Sequence, residues 1–245
     1  MPVSGDTMSN KNVVIITGAT GGIGMSLVTA FHKQGDMVVA TSRSASQSYI
    51  TTPNLIPIDG DIAKQDTAKR IVEAAVGNFG HIDVLVAAAG IYRARPFTEF
   101  SREDFNALVS VNLLGFIYIT QLVVQQMLKQ NSGSIVSITS SLADSPIAGV
   151  NASVSMITKG GLNSVIKSLA IEYAKEGIRF NAVAPGVVDT HLQEGPSKDL
   201  LRTQQPMGSI ASVDDIVNAV LFLVRADQVT GEILHVDGGA HAGKW

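Results

Sequence analysis

The residues Thr17 to Gly24, "TGATGGIG", directly follow an apolar run and have the composition of a phosphate-binding loop. Their glycines are spaced for a tight turn, a close approach of the backbone to a ligand, and close packing of the helix that follows. The first amides of that helix would face a pyrophosphate. The alternative, a glycine-rich turn without a ligand, is the weaker interpretation between a strand and a helix. The residues predicted to contact the ligand are Gly18, Thr20, Gly22, Ile23 and Gly24.

The end of the second apolar run, "MVVATSR", indicates which dinucleotide such a loop would hold. An acidic residue at this point would accept hydrogen bonds from the adenosine ribose hydroxyls and favour NAD. The chain instead has Ser42 followed by Arg43. No carboxylate there would repel a 2′-phosphate, and the guanidinium can pair with one. These residues predict NADP(H) rather than NAD(H); the alternative is that Arg43 is a solvated surface residue.

Apolar, β-rich runs alternate with helical patterns along the chain. This alternation predicts an α/β fold: a Rossmann-type doubly wound parallel sheet of about seven strands, with helices on both faces, in a single domain over residues 12–245. Residues 1–11 are polar and are predicted to be a flexible N-terminal extension. Ligands in such sheets bind beyond the carboxyl ends of the strands, so functional residues are expected after the strands. The predicted strands are "VVIITG", "MVVATSR", "NLIPIDGDI", "IDVLVAAAG", "GSIVSITS", "IRFNAVAPG" and "GEILHVDGG".

The composition narrows the class of function. With 16% charged residues and a formal net charge of -3, the chain has no sign of the basic stripe that nucleic-acid binders usually carry. The absence of cysteine excludes disulfides, thiolate catalysis and zinc–cysteine sites, and it suits a cytoplasmic protein. The residues before Asn12 lack the apolar core of a signal peptide, and we expect no apolar run long enough to span a bilayer. No metal, nucleic-acid or membrane partner is therefore expected.

Ordered motifs from Lys11 to Gly239 make the chain similar to the classical short-chain dehydrogenase/reductase family. "TGATGGIG" resembles its cofactor motif, "GDI" its adenine-binding segment, and "AAAG" the segment where the family usually has two asparagines before Ala-Gly. "VNLLG", "SITSS" and "APGVVDT" resemble its active-site asparagine, active-site serine and nicotinamide-binding segments, and "TGEILHVDGG" its last strand. The resemblance implies further cofactor contacts at Asp61, Ile62, Ala88, Gly90, Lys159, Pro185, Gly186, Val188 and Thr190.

The resemblance also implies catalytic roles for Asn112, Ser140 (with Ser141 as a neighbouring possibility), Ser155 and Lys159. In the family, a tyrosine one helical turn before the lysine donates a proton to the substrate carbonyl as hydride arrives, or removes one in the reverse direction. The lysine holds the nicotinamide ribose and lowers the pKa of the phenol, the serine orients the substrate oxygen, and the asparagine supports a water chain. The alternatives are a lysine on a solvated helix face and a chance core asparagine. A homodimer or homotetramer is also implied.

The stretch "SVSMITKGGL" places Ser155 where the family has its tyrosine. An aliphatic hydroxyl is a far weaker acid than a phenol, whose pKa starts near ~10. Serine also reaches roughly 4 Å less far from its backbone, and losing a placed general acid typically costs about 10²–10⁴-fold in rate. Tyr92, which follows "AAAG", is a candidate replacement or else an ordinary cleft tyrosine; His191 and a water are further candidates. Tyr118 and Tyr173 are predicted packing residues.

Three functions are compatible with these residues. The leading prediction is an NADP(H)-dependent oxidoreductase that interconverts a small-molecule carbonyl and an alcohol by hydride transfer, with an atypical proton donor. The second is a catalytically impaired protein that binds NADP(H) as a sensor or structural partner. The third is the reduction of a polarised double bond, which needs no phenol. A polar segment at about residues 190–211, with Pro196 and Pro206, is the predicted substrate lid.

Overall fold

The computed structural model describes residues 11–190 and 198–244, so His191 and nearly all of the predicted N-terminal extension lie outside the described residues. Seven parallel strands form one sheet in the order β3-β2-β1-β4-β5-β6-β7. This confirms the predicted doubly wound sheet. The strands are β1 (Val13–Thr17), β2 (Met37–Ser42), β3 (Leu55–Asp59), β4 (Val84–Ala87), β5 (Gly133–Ile138), β6 (Ile178–Pro185) and β7 (Ile233–Val236).

Helices connect successive strands. Residues 109–114 form a π-helical segment that joins α4 to α5, so residues 102–130 are one continuous helix. Helix α1 is followed by Gly35, which has a φ of +83° and ends the helix in a conformation that glycine favours. The helices are α1 (Gly22–Lys33), α2 (Ala45–Ser48), α3 (Gln65–Phe79), α4 (Arg102–Leu108), α5 (Gly115–Gln130), α6 (Ser153–Glu172), α7 (Lys198–Arg202) and α8 (Val213–Arg225).

The core lies on both faces of the sheet. On one face, Ile15 of β1 packs in a cluster with apolar side chains of α3, α5 and α6. On the other, Val14 and Ile16 pack in a cluster with α1 and α8. Every residue of β1 is buried, which is why its sequence is apolar throughout instead of alternating. Burying such a side chain fully contributes about 1.5–3 kcal/mol, so the sheet forms a rigid base for the loops beyond its strand ends.

The continuous helix of residues 102–130 is long and apolar enough to cross a membrane by length and composition, with a mean hydropathy of 2.0 over its most apolar window. The expectation that no run has this property is therefore wrong. Ile119, Val123 and Met127 of this helix are fully buried against the sheet and its neighbouring helices. The inner face of a helix that covers a doubly wound sheet must be apolar, and this packing accounts for much of the helix's hydropathy.

Candidate functional site

The glycine loop lies where the strand order reverses, beyond the carboxyl ends of the neighbouring strands β1 and β4. Gly18 has a φ of +70°, and a Cβ there would lie 2.8 Å from the Cα of Ala89 in the loop after β4. A Cβ on Gly24 would lie only 2.1 Å from the carbonyl oxygen of Gly18. Only glycine fits at these two positions, so the loop can fold tightly against the first turn of α1.

The N-terminus of α1 has the features of an anion site. Gly21 precedes the helix, no side chain caps it, and its first turn carries no acidic residue. The Gly21 amide donates to the Gly18 carbonyl over 3.1 Å, while Gly22 and Ile23 open the helix. Thr20 is half-buried on the same loop. Uncapped amides at a positive helix end, with no carboxylate beside them, fit a pyrophosphate.

The predicted ribose end of the crevice holds a carboxylate that the sequence interpretation missed. Ser42 ends β2 and Arg43 after it is exposed, as expected. Asp59 of β3 is the register partner of Ser42. Its carboxylate accepts hydrogen bonds from the Ser46 amide at 2.8 Å and the Ser46 hydroxyl at 2.5 Å, and these bonds lower the pKa of Asp59. The sequence signal for this carboxylate is an acidic residue at the end of β3, the strand that pairs with β2.

The predicted adenine-binding segment follows β3 directly. Ile62 is buried beneath the long helix, where a Cβ on Gly115 would approach it to 2.9 Å. Asp61 is exposed, and its carboxylate accepts a hydrogen bond from the Ala63 amide over 3.0 Å. The side chain of Ile62 is therefore part of the core, whereas Asp61 remains open to solvent beside the crevice.

Asn112 occupies the π-helical segment and is only 1% exposed. Its Oδ1 accepts from the Ile91 amide at 2.8 Å, while its Nδ2 donates to the Ile91 carbonyl at 3.0 Å and to the Thr158 hydroxyl at 2.9 Å. These bonds satisfy a polar group that would otherwise be costly to bury. Asn112 thus joins the loop after β4 to α6, and Thr158 is a partner that the sequence did not single out.

Lys159 on α6 reaches the carboxyl end of β5. Its Nζ donates to the Ile138 carbonyl at the end of β5 over 2.7 Å. A Cβ on Gly90 would sit 3.0 Å from this Nζ and 3.4 Å from Asn112 Oδ1, so the three predicted residues meet at one point. Burial lowers the pKa of Lys159 to about 8. Ser140 follows β5, and its Oγ accepts from the Leu142 amide at 3.3 Å, which leaves its hydroxyl proton available.

Ser155 lies one helical turn before Lys159, as the motif requires, but its hydroxyl is hydrogen-bonded to the Arg93 main chain. The side chain is fully buried. Its Oγ donates to the Arg93 carbonyl at 2.7 Å and accepts from the Arg93 amide at 2.9 Å. The Arg95 amide donates to the Asn151 carbonyl at 2.7 Å. Three hydrogen bonds thus fasten the loop after β4 to the start of α6, and the Ser155 hydroxyl has no proton left to offer a substrate oxygen.

The tyrosines divide as the sequence suggests. Tyr92 follows the Ala88–Gly90 turn and is 52% exposed, and desolvation raises the pKa of its phenol, the wrong direction for a proton donor near neutral pH. Tyr173 packs on Phe180 with ring centroids 5.8 Å apart. Tyr118 packs against the core cluster beneath α5. The two predicted packing residues therefore have that role, and Tyr92 is at the cleft without being tuned for proton transfer.

The segment after β6 closes the crevice from the other side. Pro185 ends the strand, and the Gly186 amide donates to the Val236 carbonyl over 3.0 Å. Val188 forms an isolated bridge with Ala211. A Cβ on Gly22 would lie 3.1 Å from the Cβ of Thr190, so this segment reaches the glycine loop. Residues 191–197 of the predicted lid lie outside the described residues.

The later part of the predicted lid is fixed to the sheet edge. Gln205 is buried, and its side-chain amide donates to the Val187 carbonyl over 3.0 Å. The Met207 amide donates to the Gly238 carbonyl after β7. From residue 205 onward, the segment is therefore held against the loops that follow β6 and β7.

Comparison with known proteins agrees with this arrangement. A family model described as "Enoyl-(Acyl carrier protein) reductase" matches residues 18–241. The 3-oxoacyl-[acyl-carrier-protein] reductase FabG of Thermotoga maritima is 33% identical over 243 residues, covering 93% of this chain and 96% of that protein. The solved structure "ElxO with NADP Bound" has a TM-score of 0.89 at 29% identity, covering 95% of this chain and 100% of the other. The 3-ketoacyl-(acyl-carrier-protein) reductase from Brucella melitensis complexed with NADH has a TM-score of 0.87 at 32% identity, covering 94% and 98%. The chain therefore belongs to the classical short-chain dehydrogenase/reductase family.

Proposed function

We propose that this protein is an NADP(H)-dependent oxidoreductase that interconverts a small-molecule carbonyl and an alcohol. The observation that carries the proposal is the meeting of Lys159, Gly90 and Asn112 in the same crevice as the uncapped glycine cradle. Relatives support the chemistry, since the Thermotoga maritima protein is named a 3-oxoacyl-[acyl-carrier-protein] reductase. Two similar structures contain NADP or NADH, which supports a nicotinamide dinucleotide here.

The preference for NADP(H) rests on the end of β2. Arg43 is exposed there and can pair with a 2′-phosphate. The nearby Asp59 would repel that phosphate if its carboxylate pointed at it, but Ser46 holds both carboxylate oxygens. The exposed Arg43 side chain, with Asp59 engaged by Ser46, therefore supports NADP(H).

Each residue of the crevice has a role in this proposal. A bound reduced nicotinamide supplies the hydride. The amides at the start of α1 hold the pyrophosphate, and Ser140 donates its hydroxyl proton in a hydrogen bond that orients and polarises the substrate carbonyl. Asn112 fixes the Ile91 main chain, and Ser155 fixes that of Arg93, so these two residues shape the cleft wall.

The first step of the test measures the binding of NADPH and of NADH to the purified protein by calorimetry. Turnover is then followed as loss of nicotinamide absorbance with a panel of ketones, quinones and enones. Gly24→Val is the matched control, because its side chain has no room in the cradle. We expect the wild-type protein to bind NADPH more tightly than NADH and to turn over at least one ketone or quinone. We expect Gly24→Val to show neither nucleotide binding nor turnover. Absence of binding to either nucleotide would overturn the proposal.

A second function is favoured by one observation, the engagement of the Ser155 hydroxyl by Arg93. A site without a usable proton donor would bind NADP(H) and not turn over, and the protein would act as a sensor or structural partner. Tight NADPH binding with no turnover across the panel is its signature. Turnover confined to the enones would instead favour reduction of a polarised double bond.

We also propose a homo-oligomer in the cytoplasm. Helices α5 and α6 expose large apolar side chains, Ile117 and Leu128 on one and Ile157 and Ile171 on the other. Surfaces of this kind favour association between subunits. Light scattering after size-exclusion chromatography should give the mass of a dimer or tetramer, and a monomer at micromolar concentration would contradict the expectation.

A further inference from the structure

We propose that Lys159 itself is the proton donor to the carbonyl oxygen, in the place of the absent phenol. This inference rests on the proposed carbonyl reductase function and assigns a group to the step that the sequence left open. In the reverse direction, the neutral amine of Lys159 would accept the proton from the alcohol.

The other candidate side chains among the described residues are accounted for by their contacts. The Ser155 proton is donated to the Arg93 carbonyl, and no water or substrate can reach this fully buried side chain. The Tyr92 phenol has a raised pKa and a half-exposed side chain. The Ser140 hydroxyl can donate a hydrogen bond, but an aliphatic alcohol is too weak an acid to lose its proton near neutral pH.

Lys159 has the geometry that the step requires. An ammonium has three N–H donors, and the one interaction found for this group among the described residues is the bond to the Ile138 carbonyl. The other two N–H bonds are left for the crevice, where Gly90 and Asn112 lie beside the Nζ. Ser140, which would orient the substrate oxygen, lies two residues after Ile138 along the chain. The proton and the polarising hydroxyl therefore reach the cleft from the same strand end.

The charged groups on the segments around Lys159 are paired elsewhere. Arg93, on the loop after β4, forms an ion pair with Asp104. Asp144, in the loop after β5, binds His235 and Asn163. Among residues 11–190 and 198–244 no carboxylate stabilises the ammonium, and burial lowers the pKa of Lys159 to about 8. An acid with a pKa close to the working pH is suited to general acid–base catalysis.

The proposed step balances in charge and atoms. Hydride from the reduced nicotinamide forms a C–H bond at the carbonyl carbon, and the C=O π pair moves to oxygen. That oxygen takes a proton from Lys159, whose N–H bond breaks and leaves its electron pair on the neutral amine. The products are the alcohol, the oxidised nicotinamide and a neutral lysine that regains a proton from solvent.

The first test measures the titration of Lys159 without any nucleotide or turnover. Reductive methylation with ¹³C-formaldehyde labels the lysines of the native protein, and each dimethyl-lysine resonance is followed by NMR against pH. We expect a resonance with a midpoint near 8 that is absent from Lys159→Arg and present in Lys167→Arg, an exposed lysine of the same helix. The N-terminal amine also titrates at about 7.7–8.0, and its resonance is recognised because it persists in both variants. A Lys159 midpoint at the ordinary value of 10.5 would overturn the proposal.

The second test uses turnover. With wild-type protein, carbonyl reduction should fall and alcohol oxidation should rise as the pH passes through the Lys159 midpoint. Lys159→Arg keeps a cation that cannot release its proton, so it should bind NADPH and reduce carbonyls about 10²–10⁴-fold more slowly; Lys167→Arg should match wild type. If Lys159→Arg reduces carbonyls at a rate within tenfold of wild type, Lys159 is not the proton donor, while the proposed carbonyl reductase function still stands. Absence of turnover across the whole panel with the wild-type protein removes the carbonyl reductase function, and this proposal with it.

Discussion

Replacing Ser155 by alanine would remove both hydrogen bonds to the Arg93 main chain while leaving the rest of α6 in place. Each such bond contributes about 0.5–1.5 kcal/mol net, and a donor or acceptor left dry costs more. Arg93 is half-buried, so water can reach part of its freed main chain. We therefore expect a loss of about 2 kcal/mol in the free energy of unfolding. For a chain of this size, that loss lowers the Tm by about 4–8 °C.

Ser153→Ala is the matched control for this variant, because Ser153 opens the same helix and is exposed. Exposed substitutions of this kind change stability by less than about 0.5 kcal/mol. Urea denaturation of the three proteins at equal concentration gives the free energies, and hydrogen exchange reports the Arg93 amide directly. We expect faster exchange at Arg93 in Ser155→Ala alone. Equal stability of the two variants, with unchanged exchange at Arg93, would refute the assignment of Ser155 as a structural latch.

Three further predictions test the cradle, the nucleotide preference and the pKa of Lys159. Gly24→Ala should lose about 1–3 kcal/mol of stability through overpacking against the Gly18 carbonyl, whereas Gly77→Ala, in open space within α3, should gain about 0.5–1 kcal/mol. Arg43→Glu should weaken NADPH binding by at least about tenfold, or 1.4 kcal/mol, and leave NADH binding nearly unchanged, as calorimetry would show. Lys159→Met tests how the Lys159 pKa contributes to the pH dependence of stability. The pKa of about 8 in the folded state lies below the value of 10.5 in the unfolded chain, so the unfolded chain binds more protons. The stability of the wild-type protein therefore rises with pH between these two values. In urea denaturation, the stability of Lys159→Met relative to wild type should therefore fall by about 1 kcal/mol between pH 7 and pH 9, and a constant difference would contradict the lowered pKa.

Much of the fold was predictable because its signals are local. The apolar strand β1, the glycines after it and the stop at Gly35 each follow from neighbouring residues. The register of a parallel sheet then brings the ends of β1 and β4 together without further information. The meeting of Lys159 with Gly90 and Asn112 was predictable only through the family motif, since those residues lie far apart in sequence.

The remaining features depend on contacts that no local pattern encodes. Ser155 binds the main chain of a residue 62 positions away, and a main-chain partner leaves no mark in residue types. The role of Asp59 required knowing that Ser46 on the short helix α2 would engage its carboxylate. The prediction that no apolar run could span a bilayer was wrong for a related reason. The sequence of residues 102–130 has the same apolar pattern whether a sheet or lipid covers the apolar face of the helix.

Ser155→Tyr is the variant that sequence alone suggests for restoring the usual chemistry, and the packing predicts that it fails. A fully buried serine has no room for a phenol ring, and the Arg93 main chain occupies its hydrogen-bonding side. Inserting the ring would break both bonds to Arg93 and displace the loop, which Arg95 also ties to Asn151. Overpacking of this kind costs about 1–3 kcal/mol, so we expect a lower Tm, faster hydrogen exchange over residues 91–95 and no gain in carbonyl reduction. Wild-type stability together with raised turnover would mean that the tyrosine pocket survives in this chain. On the geometry described here it does not, because the loop after β4 and Ser155 fit each other.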